Sequence, residues 1–143
     1  MTLTIQARAQ QTIADSVLKN TLLLIESLKD NYREYSIRGH QHSLNRFDAT
    51  PGYHQQKIDE LKSGKCDIDY QIVTGKKYHK VVYVDGGGGN RSVHCFIDKN
   101  SGSVLKSASW KSPAKGERYN LCIISHREWL FANADWSGGY LYR

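Results

Sequence analysis

The first third of the chain leaves little choice of fold. Ile5, Ala9, Ile13, Val17, Leu18, Leu22, Leu24, Ile25, Leu28 and Tyr32 recur at steps of three and four from about residue 3 to 35, with neither Gly nor Pro in that span. The pattern is that of one long helix. Leu22-Leu23-Leu24-Ile25 makes its middle apolar nearly all round. Such a girdle has to be covered by the rest of the chain or by a partner subunit. Gly39 ends the pattern, and His40 to Ala49 reads as polar loop. A second, short helix is expected next. Thr50 is its N-cap, Pro51 its first helical position, Ile58 and Leu61 its apolar side and Gly64 its stop.

From Asp67 the periodicity changes to two, the signature of strands. Asp67 to Val73, Tyr78 to Val84, Arg91 to Ile97 and Ser103 to Ser107 are four expected strands. They are separated by Thr74-Gly75-Lys76-Lys77, by the four glycines Gly86 to Gly89, and by Asp98-Lys99-Asn100-Ser101-Gly102, a hairpin turn signal. Connections this short favour an antiparallel meander with helices on one face, an α+β fold. Residues 1–64 form a helical arm suited to self-association, and residues 65–143 a sheet region. Ser125-His126-Arg127-Glu128 reads as a capping box opening a short C-terminal helix with Trp129, Leu130 and Phe131. Tyr140 to Tyr142 is a last possible strand.

Charge divides the chain more sharply than hydrophobicity does. The net charge is +6, yet residues 1–74 and residues 119–143 each balance to zero. The excess lies in residues 75–118, where Lys76, Lys77, Lys80, Arg91, Lys99, Lys106, Lys111, Lys115 and Arg118 face only Asp85, Asp98 and Glu117. That asymmetry suggests an anionic partner at this segment, against the plainer alternative of a solvated basic face. The N-terminus shows no secretory pattern and no apolar run approaches the ~20 residues of a membrane span, so a cytoplasmic protein is expected. Cys66, Cys95 and Cys122 are three at wide spacing, read as reduced thiols, with Cys95 and Cys122 as small core residues.

Spacing alone nominates no catalytic residue, metal ligand or cofactor site. The sequence VDGGGGN lacks the GK[ST] and the following helix of a phosphate-binding loop, and reads as a hairpin tip. His40-Gln41-His42 has no partner at metal spacing. The basic segment is richer. On the third strand, strict alternation puts Ser92, His94 and Phe96 on one face and Arg91, Val93, Cys95 and Ile97 on the other. Trp110, Lys111, Lys115, Arg118, Tyr119 and Asn120 then fall close together along the chain. An aromatic plane stacks a base, and Arg and Lys meet phosphate oxygens. The candidate ligand-binding set is Arg118, Trp110, Lys111, Lys115, Lys106, Phe96, Arg91 and Asn120. For Trp110 the competing reading is core packing, and for Lys111 and Lys115 a solvated loop.

The stretch SVHCFIDKNSGSVLKSASWKSPAKGERYNL, from Ser92 to Leu121, resembles a module of small phage-encoded proteins, the anti-Thoeris sponge family. The resemblance implies a non-enzymatic binder without a cofactor. Such a protein sequesters, uncleaved, a cyclic nucleotide signal of the glycocyclic ADP-ribose class, and some members accept cyclic oligonucleotides. It also implies a homo-oligomer; no membrane partner is expected because no apolar run is long enough to span one. A single-stranded nucleic-acid-binding module is the alternative, since a basic, aromatic-bearing sheet suits that partner too.

Overall fold

The computed structural model describes residues 4–44, 46 and 52–143. Its first helix, α1 (Ile5–Leu44), is longer than the apolar pattern suggests. It runs through Gly39, where one glycine costs only ~1 kcal/mol, and turns the first part of the expected loop, His40 to Leu44, into helix; residues 45 and 47–49 of that loop lie outside the described residues. Over its 40 residues it extends about 60 Å. Val17, Thr21, Leu24, Ile25 and Leu28 form its buried stripe, whereas Ile13, Leu18, Leu22 and Leu23 stay exposed. The Thr21 hydroxyl, buried in that stripe, donates back to the Val17 carbonyl at 2.8 Å.

The short helix α2 (Tyr53–Lys62) packs against α1 and buries Ile58 and Leu61. Gly64 follows its last turn as expected, while Thr50 and Pro51 lie outside the described residues.

The sheet is the expected antiparallel meander, with β1 (Ile68–Thr74), β2 (Tyr78–Asp85), β3 (Arg91–Asp98), β4 (Ser103–Leu105) and β5 (Tyr119–Asn120) side by side in chain order. The two-residue β5 is the fifth strand, too short to leave a periodic signal. The four-glycine segment is a hairpin tip. There the Asp85 carboxylate accepts from the Gly87 N–H and the Asn90 side chain. Gly86 is obligatory on contact grounds, since a Cβ there would stand 2.4 Å from the Asp67 carbonyl oxygen.

One irregularity reorganises the sheet. Val81 stands opposite Cys95 but Val82 stands opposite Val93, so His94 is an extra residue in β3, a bulge. Strict alternation fails there. Cys95 and Ile97 face inward in the core, and His94 turns inward too, against Tyr70 and Tyr140. Phe96 faces outward beside Lys80, and across the bulge Arg91 shares that outer face instead of the one opposite.

One core joins α1, the inner sheet face, and the C-terminal helix α3 (Ile124–Asn133), with Leu28, Ile97, Leu121 and Leu130 fully buried in it. The capping box is not formed. Ile123 occupies the N-cap without a side-chain bond and Ser125 already lies inside the helix. Tyr140 to Tyr142 is not a strand; Gly139–Leu141 is a 3₁₀ turn folded back onto the core, where Tyr140 and Leu141 are buried. All three cysteines are free; Cys95 is buried as expected, whereas Cys122 is exposed. Among the described residues no helix is long and apolar enough to cross a membrane. Leu28→Ala removes a fully buried side chain between helix and sheet and is expected to cost about 2–5 kcal/mol, read as a lower urea midpoint.

Candidate functional site

β3 and β4 pair at only two positions, Phe96 with Leu105 and Ile97 with Val104. Toward the start of β3 the ladder stops, and a cavity of about 330 Å³ occupies the gap. Ser92, Val93 and His94 of β3 line one side of it, with Tyr83 of β2. Lys106 and Ser107, just past β4, line the other. The tail after α3 closes it with Trp136, Ser137, Gly138, Leu141 and Tyr142.

The tail is held there by specific bonds. The Trp136 backbone N–H donates to the Asn31 side-chain carbonyl of α1 at 3.0 Å, and the Trp136 carbonyl accepts from the Tyr70 hydroxyl at 3.3 Å. The Trp136 ring meets Tyr32 edge-on at 5.3 Å and stacks near Tyr83 at 6.3 Å. Further on, the Tyr119 hydroxyl donates to the Tyr140 carbonyl at 2.8 Å. Asp135 organises the turn itself, accepting from the Ser137 hydroxyl and from the Gly139 and Tyr140 N–H groups. Partial burial pushes its carboxyl up, but those hydrogen bonds outweigh it and hold the group below its ordinary value.

Among the described residues, Lys106 is the only cation in the cavity wall, and no carboxylate lines it. The Lys106 Nζ lies 4.7 Å from the centre of the Tyr142 ring, a cation–π contact at the rim. At the back, the His94 Nε2 lies 2.7 Å from the buried Tyr140 hydroxyl. Desolvation lowers the His94 pKa to about 4, the Asp135 charge opposing it only in part, so the ring is neutral near pH 7. A cation, three aromatic rings and hydroxyls around one gap can accommodate an anionic ligand with an aromatic moiety. The volume falls at the lower end of small-molecule sites, ~300–1,000 Å³.

The eight residues nominated from sequence are dispersed. Only Lys106 reaches the cavity. Arg91, Phe96 and Trp110 meet on the outer sheet face, where Lys80 Nζ lies 4.5 Å and Arg91 Cζ 5.7 Å from the Trp110 ring, and Lys80 Nζ lies 5.9 Å from Phe96. Trp110 is 45% exposed and Phe96 is buried beneath. Arg91 also donates to the Gln71 side chain at 2.9 Å. Lys111 and Lys115 are exposed on the loop between β4 and β5. The Arg118 N–H bonds the Val104 carbonyl at 2.8 Å, and its buried Nε has no hydrogen-bond partner among the described residues. Asn120 is committed to the turn after β5, accepting from the Cys122 N–H at 2.7 Å and donating to Glu117 at 2.7 Å. The cavity residues that spacing missed are Tyr83, Ser92, His94 and the tail group. The run Trp136-Ser137-Gly138-Gly139-Tyr140, aromatics around small residues, is the signal that could have marked the tail.

A wider depression of about 480 Å³ lies beside the end of α1, where His40 and His54 bring their Nδ1 atoms to 2.8 Å. Burial first, and then the neighbouring His54, lowers the His40 pKa. Among the described residues no group of three or more His, Cys, Asp or Glu is placed to hold a metal ion.

Fold and cavity together define an α+β protein with a small-molecule-sized cleft between a splayed strand pair and its own tail. No curated protein and no solved structure matches the chain. The chain belongs to the family of unknown function DUF7717, matched over residues 2–143.

The buried His94 makes stability pH-dependent. Below about pH 6.5 the unfolded chain takes up a proton that the folded ring refuses until about pH 4. Stability is therefore expected to be complete above that window and to fall by roughly 3 kcal/mol across it. Urea titrations from pH 7 to about pH 4.5 measure the slope. His94→Gln should remove the largest share of it, leaving what His40 and His79, also held down by burial, contribute, and an unchanged slope would place the proton uptake elsewhere.

Proposed function

We propose that the chain binds an anionic ligand of the nucleotide class in this cavity and sequesters it without cleavage, acting in the cytoplasm as a sponge for a cyclic ADP-ribose-type or cyclic nucleotide immune signal. The observation that carries the reading is Lys106 set at the mouth of a gap walled by Tyr83, Trp136 and Tyr142, with no carboxylate among the described residues that line it. A diphosphate suits the Lys106 ammonium and the hydroxyls of Ser92 and Ser107, and a base suits the rings. The resemblance of residues 92–121 to the anti-Thoeris sponges supports holding rather than transforming the ligand. A sponge works by mass action and needs no catalytic group and no cofactor. Self-association belongs to the same reading, along the exposed Leu18, Leu22 and Leu23 of α1. Sedimentation of wild type against Leu22→Glu tests that part, with dissociation to monomer expected.

The cluster of Lys80, Arg91 and Trp110 favours a second reading, a surface for single-stranded nucleic acid. Salt separates the two. Nucleic-acid affinity falls by roughly 0.7 in log K per log unit of salt for each phosphate contacted, whereas a ligand inside a cavity responds less.

Protein purified from cells that make the signal, then heated, is expected to release intact nucleotide by mass spectrometry. A cleaved product would overturn sequestration in favour of an enzyme. Lys106→Ala is expected to weaken capture about tenfold or more, with the fold retained because Lys106 sits at the rim.

A further inference from the structure

Among the described residues that line the cavity, His94 is one whose hydrogen-bonding polarity is set by a neighbouring side chain. Serine hydroxyls such as those of Ser92 and Ser107 rotate to donate or accept, and the Lys106 ammonium is a mobile donor, so neither tests the shape of a ligand's lone pairs closely. His94 differs. It is 9% exposed, its ring is held edge-on against Tyr70 at 5.4 Å, and its Nε2 lies 2.7 Å from the Tyr140 hydroxyl. Tyr140 is 8% exposed, and among the described residues its hydroxyl has no hydrogen-bond partner other than His94.

That last fact settles the direction of the bond. If Nε2 carried the proton and donated, the phenol proton would be left buried without an acceptor, which is costly. The phenol therefore donates, Nε2 carries the lone pair, and the single proton of the neutral ring sits on Nδ1. Nδ1 has no partner among the described residues. The Cε1–Nδ1 edge runs along Gly138, another cavity-lining residue, at 3.7 and 3.9 Å from where a Cβ would stand. Gly138 has φ +85°, a backbone that side chains disfavour, so position 138 puts no side chain against this edge. Burial keeps the ring neutral near pH 7; the groups that face it are Tyr70 and Tyr140, with the Asp135 carboxylate further off.

We propose that His94 is the specificity-determining residue of the cavity: Tyr140 locks it as a neutral Nδ1–H donor, which selects ligands that present an acceptor there, such as a phosphate or carbonyl oxygen or an unprotonated ring nitrogen. A ligand presenting its own N–H at this point leaves two buried donors face to face and is rejected. The proposal rests on the nucleotide reading for its ligand class, but the lock does not.

The test has two arms. In protein labelled with ¹⁵N at histidine, long-range ¹H–¹⁵N spectra between about pH 6 and 8 are expected to show His94 with a protonated Nδ1 and a lone-pair Nε2. The reverse assignment overturns the lock. Tyr140→Phe, which removes the donor and keeps the ring, is expected to move the tautomer toward Nε2–H; an unmoved tautomer also overturns it. The second arm titrates ADP-ribose as probe. His94→Gln places an amide near Nε2 and nothing at Nδ1, and is expected to weaken ADP-ribose binding about tenfold. His94→Asn, whose amide falls near Nδ1, is expected to recover part of that loss. Equal affinity of wild type and His94→Gln overturns the selecting role. A wild-type protein that does not bind ADP-ribose overturns the ligand half of the proposal, and the spectra still decide the lock.

Discussion

A single extra residue in β3 governs how the sheet is used. Opposite the Val81–Val82 step of β2, β3 supplies Cys95, His94 and Val93, and the surplus is His94. A bulge interrupts the alternation of side chains and leaves one residue outside the ladder. Here its consequence is a change of faces. Beyond it Ser92 turns toward the cavity on the helix side, while Arg91 joins Phe96 on the outer side. His94 itself, imidazole and all, is driven into the core. That placement is tolerable because Tyr140 reaches it from the tail and because the ring stays neutral.

The elements legible in the sequence were those specified by local, repeated patterns. The α1 stripe of Val17, Leu24 and Leu28, the alternation of β1 to β3, and the Asp98–Gly102 turn all depend on neighbours within a few residues. Whatever depends on distant partners was hidden. Gly39 looks like a helix stop, yet helix continues through it because one glycine costs only ~1 kcal/mol in a long helix. Tyr119-Asn120 becomes a strand only because Val104 and Ser103 lie beside it. The cavity was hidden for the same reason, since Tyr83, His94 and Trp136 meet across more than fifty residues of chain. Lys106 stands out in the sequence because a charge in a biased segment can be noticed without its neighbours, and the fold places it in the cavity wall.

The basic excess resolves into three separate uses. Among the described residues none of the nine cations between residues 75 and 118 forms an ion pair, the pairs being Lys29–Asp69, Arg33–Asp30 and Lys57–Glu60. Lys80 and Arg91 lie against Trp110, and Lys77 against Tyr78, contacts that keep each charge hydrated on one side. Lys106 stands at the cavity. Lys111 and Lys115 are solvated. Linear proximity of Trp110, Lys111, Lys115 and Arg118 suggests one site, but the fold places Trp110 against Lys80 and Arg91, leaves Lys111 and Lys115 exposed and ties the Arg118 backbone to Val104.

The cavity wall and the core are one construction. Trp136 lies between Tyr32 and Tyr35 of α1 and Tyr83 of the sheet, and Tyr140 lies between His94 and Tyr119. The tail that shapes the cleft is thus ordered by the same contacts that seat α1 on the sheet. A ligand of the proposed kind, bridging Lys106 and the tail aromatics, would gain from that order without having to create it, since the ordering entropy is already met by folding. By linkage, occupancy of the cavity would stabilise the packing of tail, sheet and α1 together, so the binding energy would be felt in the core and not only at the rim where Lys106 meets Tyr142.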